Sequence, residues 1–263
     1  AQGDCSFLDY YFYLGVGGSG HTEVAMMNGR ASYVVVGLGK TGWSCLRYLK
    51  KLGHEVVVTD SRAEPPFFLE CRAQFPDVIM AFSGISNKHL SAATHIVLSP
   101  GIDHRDSRWQ RLRDEGKIFL SDIDLWASTN PARFLVGVTG TNGKSTVTKL
   151  LTNMCLSSGL KAVAIGNIGV PVLDSLAVDD CDVAVVECSS FQLEMSQAVA
   201  WDVAVLLNIS DDHMDRYDSD DDYLCAKKRI YHACKHAICN EDQPYLWQSL
   251  PLLSVTRFSS KNS

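Results

Sequence analysis

The hydrophobic pattern of the chain becomes regular at Tyr33, where short apolar runs begin to alternate with amphipathic stretches. Apolar runs of strand length are predicted at Tyr33–Val36, Glu55–Thr59, Val78–Phe82, Ile96–Leu98 and Ile118–Leu120. A helix before Gly53 is predicted to bury one face, formed by Cys45, Leu46, Leu49 and Leu52. Strands that alternate with helical stretches are typical of a parallel sheet with crossover helices, so we expect one α/β domain that ends near Asp122.

A second alternating pattern begins at Phe134. Further strands are predicted at Phe134–Val138, Lys161–Ile165, Val183–Val186, Val203–Leu207 and Ala237–Cys239. The first strand leads into a glycine-rich loop and a helix with apolar positions at Val147, Leu150, Leu151, Met154 and Cys155. We therefore divide the chain into an unassigned extension (1–30), a first α/β domain (31–122) and a second α/β domain (123–263).

Composition narrows the class of protein. With 263 residues, 46% of them hydrophobic, the chain can bury a substantial core. Its formal net charge is −6 and it has no cluster of Lys and Arg, which argues against binding to nucleic acid or to an anionic membrane surface. No apolar run approaches the roughly 20 residues that span a bilayer, and no secretory signal is recognisable, so we expect a cytoplasmic protein.

The strongest chemical signal is the loop Gly140-Thr141-Asn142-Gly143-Lys144-Ser145-Thr146, between a buried strand and an amphipathic helix. Glycines allow backbone N–H groups to converge on phosphate oxygens, and the helix N-terminus adds partial positive charge. The lysine can reach the β and γ phosphates, and the following serine can bind Mg²⁺. The strict pattern requires glycine at position 138, where this chain has valine, but the strand–loop–helix context predicts a nucleotide site.

Two further strands of the second domain are followed by polar residues. Glu187 ends one strand, and Asn208 to Arg216, including His213, follows another. Because ligands bind at the carboxyl ends of parallel strands, we expect Glu187 and His213 to lie near the phosphate-binding loop. The sequence predicts Glu187 as a partner of Mg²⁺.

A separate glycine pattern lies in the first domain. The segment Gly37 to Gly42 matches G-x-G-x-x-G after a strand, and Asp60 ends the next strand. Alone, this pattern predicts NAD and an oxidoreductase. The same loop can bind any diphosphate, including that of a UDP-sugar, and a second nucleotide site in the next domain makes hydride transfer less attractive.

Together these segments resemble the Mur ligases, from Tyr33 to about Asp242. The resemblance is carried by Gly37 to Gly42, by the phosphate-binding loop, by the run from Glu187 to Glu194, and by Asp212 to Arg216 with Ala226 to Ile230. The run Glu187-Cys188-Ser189-Ser190-Phe191-Gln192 is specific to the branch that adds D-glutamate. The family implies a Rossmann-like parallel-sheet domain followed by a P-loop-type central α/β domain, which is incomplete here.

The resemblance also implies a reaction. In this family ATP phosphorylates the L-alanine carboxylate of UDP-N-acetylmuramoyl-L-alanine, and the amine of D-glutamate attacks the acyl phosphate in peptidoglycan precursor synthesis. Lys144 would neutralise the transferring phosphoryl group. Ser145 and Glu187 would hold one Mg²⁺, and His213 with a carbamylated Lys227 would serve a second, with Lys228 as the alternative if the register differs by one. Residues implied to bind the UDP-substrate are Lys40, Thr41, Ser61, Arg62, Ser99, Gly101 and Asn167.

The family has a third, C-terminal domain that supplies the D-glutamate contacts and closes over ATP. We expect this chain to be a monomeric fragment that binds nucleotide without forming the amide bond, and D-glutamate-dependent release of ADP by it would contradict that. The alternatives are an NAD-dependent oxidoreductase and a nucleotide-binding fragment without catalysis.

Overall fold

The computed structural model describes residues 31–103, 106–129, 132–168, 171–177, 181–196, 199–210, 217, 219–252 and 254–261. Of the predicted site residues, His213 lies outside these ranges. Within them, no helix is both long enough and apolar enough to cross a membrane.

The first unit is built on a parallel five-stranded sheet. Its strands are β1 (Ser32–Val36), β2 (Glu55–Thr59), β3 (Ile79–Ala81), β4 (His95–Leu98) and β5 (Ile118–Leu120), in the order β3-β2-β1-β4-β5. Its helices are α1 (Lys40–Lys51), α2 (Phe68–Gln74), α3 (Asn87–Ala92) and α4 (Ser107–Asp114). Each of the five strands overlaps a predicted one.

The second unit follows helix α5 (Asp122–Ala127) and contains a parallel six-stranded sheet. Its strands are β6 (Ala132–Thr139), β7 (Ala162–Gly166), β8 (Cys181–Glu187), β9 (Val203–Leu206), β10 (His236–Asn240) and β11 (Val255–Phe258), in the order β11-β10-β9-β6-β8-β7. Its helices are α6 (Lys144–Ser157), α7 (Ser190–Met195) and α8 (Asp220–Lys228), with 3₁₀ turns at Val172–Ala177, Arg229–Tyr231 and Pro244–Leu246. The two parallel sheets confirm the predicted fold class.

The topology places both glycine loops where ligands are expected. In the first sheet β1 lies between β2 and β4, and in the second β6 lies between β8 and β9. Crossovers therefore leave the central strand in opposite directions, which opens a crevice at its carboxyl end. Each glycine loop follows that central strand directly.

Two predicted helix faces are wrong in part. Leu52 is 54% exposed, Leu150 58% and Met154 60%. On α6 the predicted Val147, Leu151 and Cys155 pack against the core while partly buried, and Thr148 and Thr152 are buried beside them. The Thr152 hydroxyl donates to the Thr148 carbonyl, 2.8 Å away, so its burial leaves that hydroxyl bonded.

The two units share apolar packing. The largest buried cluster joins residues of both sheets, and α5 contributes Ile123, Leu125 and Trp126 to it. Nearby, the Ser44 hydroxyl and the Arg47 guanidinium both donate to Asp174, at 2.6 Å. The second contact is an ion pair between α1 and the second unit. The division of the chain at residue 122 stays a prediction.

Candidate functional site

The phosphate-binding loop depends on glycine at two positions. Gly140 has φ +151° and Gly143 has φ +83°, conformations that side chains rarely adopt. A Cβ at Gly140 would also lie 3.0 Å from the Leu207 Cβ. Gly143 caps α6, so Lys144 and Ser145 begin the helix at the end where its unpaired N–H groups attract anions.

Lys144 folds back over this loop. Its ammonium donates to the carbonyl oxygens of Gly140, at 2.9 Å, and Thr141, at 2.7 Å. Both acceptors are neutral, and a phosphate oxygen would be a stronger, charged acceptor. The lysine is thus positioned to move from the loop carbonyls onto a bound phosphate.

Three predicted residues meet beside the start of α6. The Ser145 hydroxyl donates to Glu187 Oε2, at 2.7 Å, and Asn167 Nδ2 donates to Glu187 Oε1, at 3.2 Å. Glu187 is only 2% exposed. The backbones of Gly166 and Glu187 also lie close together. Only glycine leaves room for this, since a Cβ at Gly166 would lie 2.1 Å from the Glu187 backbone carbonyl oxygen. The result is a buried carboxylate in contact with a hydroxyl at the edge of the phosphate-binding loop.

The segment after β9 forms the opposite wall of the loop. Asn208 accepts from the Thr141 N–H through its carbonyl and from the Asn142 N–H through its side chain, both at 2.9 Å. The Ser210 N–H donates to Thr141 Oγ1, at 3.1 Å. The sequence predicted that this polar segment would lie near the loop, and its described part does. His213 lies outside the described residues.

Lys227 reaches the same loop from α8. It is 2% exposed, and its ammonium donates to the Gly140 carbonyl at 2.9 Å. It also lies 4.8 Å from the centre of the Tyr223 ring, one helical turn earlier, and the Tyr223 hydroxyl is hydrogen-bonded to Thr141 Oγ1, at 3.1 Å. Lys228 is only partly buried. The geometry therefore favours Lys227 over Lys228 as the lysine of this site.

Sequence reasoning missed Tyr223. A signal was available, because Tyr223 and Lys227 are four residues apart on one helix and such residues share a face. That spacing is common on any helix, however, and did not distinguish this tyrosine from a core aromatic.

The glycine loop of the first unit is hydrogen-bonded to a side chain that follows a neighbouring strand of the same sheet. Asp60 Oδ2 accepts from the Leu38 N–H, at 2.8 Å, and the Arg62 guanidinium donates to both carboxylate oxygens, at 2.9 and 2.7 Å. Burial raises the pKa of Asp60, but the hydrogen bonds from Arg62 and Leu38 outweigh it, so the net pKa is lowered. Both oxygens are thus used within the protein, which favours a structural role for Asp60 over the ribose contact that an NAD site would predict.

Six of the seven residues implied to bind the UDP-substrate gather at one edge of the first sheet. They follow β1, β2 or β4, which are neighbours in the sheet. Lys40, Ser61, Arg62 and Gly101 are exposed, and Thr41 and Ser99 are partly buried. The seventh, Asn167, lies in the second unit beside Glu187. This arrangement is suited to a ligand that extends from one unit to the other.

The side-chain oxygen atoms beside the start of α6 are suitable ligands for a divalent cation. Carboxylate and hydroxyl oxygens are ligands that Mg²⁺ prefers, and Glu187 and Ser145 supply one of each. Among the described residues, no group of three or more His, Cys, Asp or Glu side chains is placed to hold a metal. A cation here would therefore complete its coordination with ligands such as phosphate oxygens and water.

Comparison with known proteins agrees with this geometry. Residues 31–120 match the family described as Mur ligase MurD-like, N-terminal domain, and residues 138–262 match the Mur ligase middle domain. The chain is 40% identical over 225 residues to the UDP-N-acetylmuramoylalanine--D-glutamate ligase of Coxiella burnetii, covering 86% of this chain and 50% of that protein. It is 42% identical over 209 residues to the enzyme of the same name from Marinobacter nauticus, covering 80% and 46%.

A solved structure shares the fold. The UDP-N-acetylmuramate:L-alanyl-gamma-D-glutamyl-meso-diaminopimelate ligase of Neisseria meningitides matches with a TM-score of 0.56 and 16% identity, covering 88% of this chain and 78% of that chain. This chain spans about half the length of the curated relatives it matches. Because adjoining N-terminal and middle domains both match, and curated relatives align across both, the chain belongs to the Mur ligase family.

Proposed function

We propose that this protein is an ATP-dependent ligase that adds D-glutamate to UDP-N-acetylmuramoyl-L-alanine in the cytoplasm, during peptidoglycan precursor synthesis. The observation that carries the proposal is the Ser145–Glu187 contact of 2.7 Å beside Lys144, at the N-terminus of α6. The names of the curated relatives support the substrate and the amino acid. A second glycine loop, in the first unit, supports a second nucleotide ligand.

The loop residues Gly140 to Thr146 would bind the triphosphate of ATP. The N–H groups at the start of α6 face the anion, and Lys144 leaves its two carbonyl acceptors to neutralise the phosphoryl group during transfer. Asn208 and Ser210 are hydrogen-bonded to Thr141 and Asn142 on the far side of the loop, and these contacts would support the loop around the nucleotide.

Ser145 and Glu187 would hold Mg²⁺, and His213 with a carbamylated Lys227 would hold a second ion. Bound Mg²⁺ would neutralise charge that develops on the phosphate oxygens. As an ammonium, Lys227 cannot bind a cation, but its carbamate would present two oxygens that share one negative charge at the Gly140 side of the loop. Glu187 keeps its orientation through Ser145 and Asn167.

The uridine diphosphate would bind at the first glycine loop, near Lys40, Thr41, Ser61, Arg62, Ser99 and Gly101. Asn167 would then orient the far end of the substrate beside Glu187.

A carboxylate oxygen of L-alanine attacks the γ-phosphorus and ADP leaves. The D-glutamate amine next attacks the acyl carbon, inorganic phosphate leaves and the amine loses a proton. The amide bond forms without a redox step, so NAD is not needed.

Calorimetric titration with ATP·Mg²⁺ tests the proposal. Lys144→Ala should weaken binding about 100-fold or more, since it removes a charge-assisted contact to phosphate. Lys149→Ala changes an exposed lysine on the same helix and should bind ATP as the unmodified chain does. Equal affinities of the Lys144 variant and the unmodified chain would remove the phosphate-binding assignment. Tight NADH binding that is insensitive to Lys144→Ala would instead favour the oxidoreductase.

A further inference from the structure

Helix α7 is held at both ends by side chains of α5. Gln192 Nε2 donates to the carboxylate of Asp122, 3.3 Å from each oxygen, and the Ser196 hydroxyl donates to Asp124 Oδ1, at 2.8 Å. Helix α5 follows the last strand of the first sheet, whereas α7 begins three residues after Glu187. These two contacts therefore join α5, the helix that connects the two sheets in the chain, to the segment that carries the candidate metal site.

The orientation of the Gln192 amide is determined by its own helix. Its Oε1 accepts from the backbone N–H and the hydroxyl of Ser189, both at 3.1 Å, which completes a capping box. The amide nitrogen must then point to Asp122. A single side chain thus caps α7 and binds α5.

Asp124 has the matching double role on α5. Its Oδ2 accepts from the backbone N–H and the hydroxyl of Ser121, at 2.7 and 2.8 Å, which completes the capping box of α5. The other oxygen accepts from Ser196. The two capping boxes are therefore interlocked, and neither helix can shift without loss of hydrogen bonds on both.

Asp122 is an unusual residue for a seam between two units. It is 3% exposed, and the thiols of Cys45 and Cys188 lie near it. Burial raises the pKa of Asp122 to about 6, against the opposing effect of the Gln192 hydrogen bond. An apolar pair could close such a seam at less cost than a buried carboxylate. A hydrogen bond between a carboxylate and an amide, by contrast, forms only when the two side chains have one particular distance and orientation.

Helix α7 also reaches the lysine of the phosphate site. Arg229, two residues after Lys227, donates from Nε to the Leu193 carbonyl at 2.8 Å and from Nη2 to the Ser196 carbonyl at 2.9 Å. One side of α7 is therefore bound to α5, and its C-terminal end is bound to Arg229, which follows Lys227.

We propose that Asp122 is a positioning residue that, through Gln192, sets the separation between the two nucleotide sites. The inference rests on the proposed function, in which the substrate binds at the first glycine loop while its carboxylate reaches the ATP site. The affinity of such a ligand depends on the effective concentration of its second end, which a loosened seam lowers. Ligands that occupy one site alone do not depend on this separation.

The experiment compares three ligands with the chain as it stands: UDP, ATP·Mg²⁺ and UDP-N-acetylmuramoyl-L-alanine. In Asp122→Asn an amide nitrogen replaces one carboxylate oxygen and faces the Gln192 amide nitrogen, so two donors meet. We expect affinity for the extended substrate to fall about tenfold, with UDP and ATP·Mg²⁺ unchanged within about twofold. Asp77→Asn, in an exposed ion pair with Lys50, is the matched control and should change none of the three.

A second variant provides a rescue. In Asp122→Asn combined with Gln192→Glu, the new carboxylate can accept from both Ser189 and the new amide, so the contact is rebuilt with donor and acceptor exchanged. We expect the double variant to recover most of the lost affinity. Ser196→Ala, which removes the hydroxyl that donates to Asp124 in the second contact between α5 and α7, should cost about threefold for the extended substrate alone.

The outcomes separate the two proposals. An unchanged affinity of Asp122→Asn for the extended substrate, an equal loss for all three ligands, or a double variant no better than the single one overturns the role of Asp122. If the unmodified chain binds UDP and the extended substrate equally well, the proposed substrate is wrong, and the inference falls with it.

Discussion

The two glycine loops of this chain have the same surroundings in sequence and different surroundings in space. Each follows the central strand of a parallel sheet and precedes a helix. Around the first loop, Asp60 is bonded to Leu38 and Arg62, and the Ser99 hydroxyl donates to the Gly37 carbonyl at 2.9 Å. Beside the second loop, a lysine and a buried glutamate have contacts that a phosphate and a cation could replace.

This difference teaches that glycine spacing is typical of an anion site but does not indicate which anion would bind. The glycines provide space and backbone N–H groups, which suit any phosphate. The groups that would distinguish a diphosphate from a triphosphate with its cation come from neighbouring strands. Glu187 is at the end of β8, and Asp60 directly follows β2.

The largest effect is expected in the first loop, from Gly42→Ala. A Cβ at Gly42 would lie 1.8 Å from the Gly37 carbonyl oxygen, so the loop or α1 must move. We expect a loss of about 3 kcal/mol or more in the free energy of unfolding of the first unit, measured by urea denaturation. Gly39→Ala is the control, since nothing lies within 4 Å of its Cβ and φ is −86°. Comparable losses in the two variants would contradict the close-contact explanation.

The next effect should be confined to the second loop. Glu187→Gln removes the buried charge beside Ser145, and we expect ATP affinity to fall roughly 30-fold, or about 2 kcal/mol, in the presence of Mg²⁺. With EDTA in place of Mg²⁺, the variant and the unmodified chain should bind ATP alike. Glu55→Gln, at an exposed position of β2, should change neither titration. A loss of the same size in EDTA would show that Glu187 shapes the loop instead of holding a cation.

A smaller effect should appear when the first loop loses its carboxylate. Asp60→Asn places an amide nitrogen against either the Leu38 N–H or the Arg62 guanidinium, which should cost about 1.5 kcal/mol of unfolding free energy. UDP affinity should fall with it, while ATP·Mg²⁺ affinity should stay the same. If titration calorimetry finds both nucleotides weakened equally, the two loops are not independent sites.

The smallest effect concerns Asp122, which joins α5 to α7, and it depends on pH. The pKa of buried Asp122 is raised from 3.8 to about 6, so the folded chain binds this proton more tightly than the unfolded chain does. Stability from this group therefore falls as pH rises through that interval. The neighbouring Cys45 and Cys188 thiols have pKa values raised well above this interval, and Gln192 does not titrate. The charge of Asp174, another carboxylate near Cys45, also raises the pKa of that thiol.

Asp122→Asn lacks this titration. Relative to the unmodified chain, we expect the variant to gain roughly 1 kcal/mol of unfolding free energy between about pH 5 and pH 7.5. Urea denaturation at the two pH values measures the change. A stability difference that does not vary with pH would show that Asp122 has an ordinary pKa.

Much of the architecture could be predicted from local patterns. The predicted strands coincide with observed ones to within about two residues at each end, because valine-rich runs bounded by glycine and polar residues are strong signals for buried parallel strands. Strand β11 was not predicted, since Val255, Thr256 and Arg257 are exposed and carry no buried pattern. The exposed Leu150 and Met154 show the opposite error, in which apolar spacing suggested a buried face.

The candidate site could be predicted only where a residue type and a strand end occur together. Lys144, Ser145 and Glu187 meet these conditions, and the structure brings them together. Tyr223 and Asp122 do not, because each is important only through a partner far away in the chain, such as Thr141 or Gln192. The catalytic and binding roles of all these residues stay predictions until the variants are measured.

By itself, the sequence determined two parallel α/β units, each with a glycine loop after its central strand, because backbone conformation and strand periodicity are local properties of the chain. The tertiary structure alone decided what faces each loop: a bonded Asp60 at the first, and Glu187 and Lys227 at the second. It also decided how the units are joined, through Asp122 and Gln192. These contacts span 22 to 87 residues of chain, and side chains so far apart meet only when strand order places them side by side.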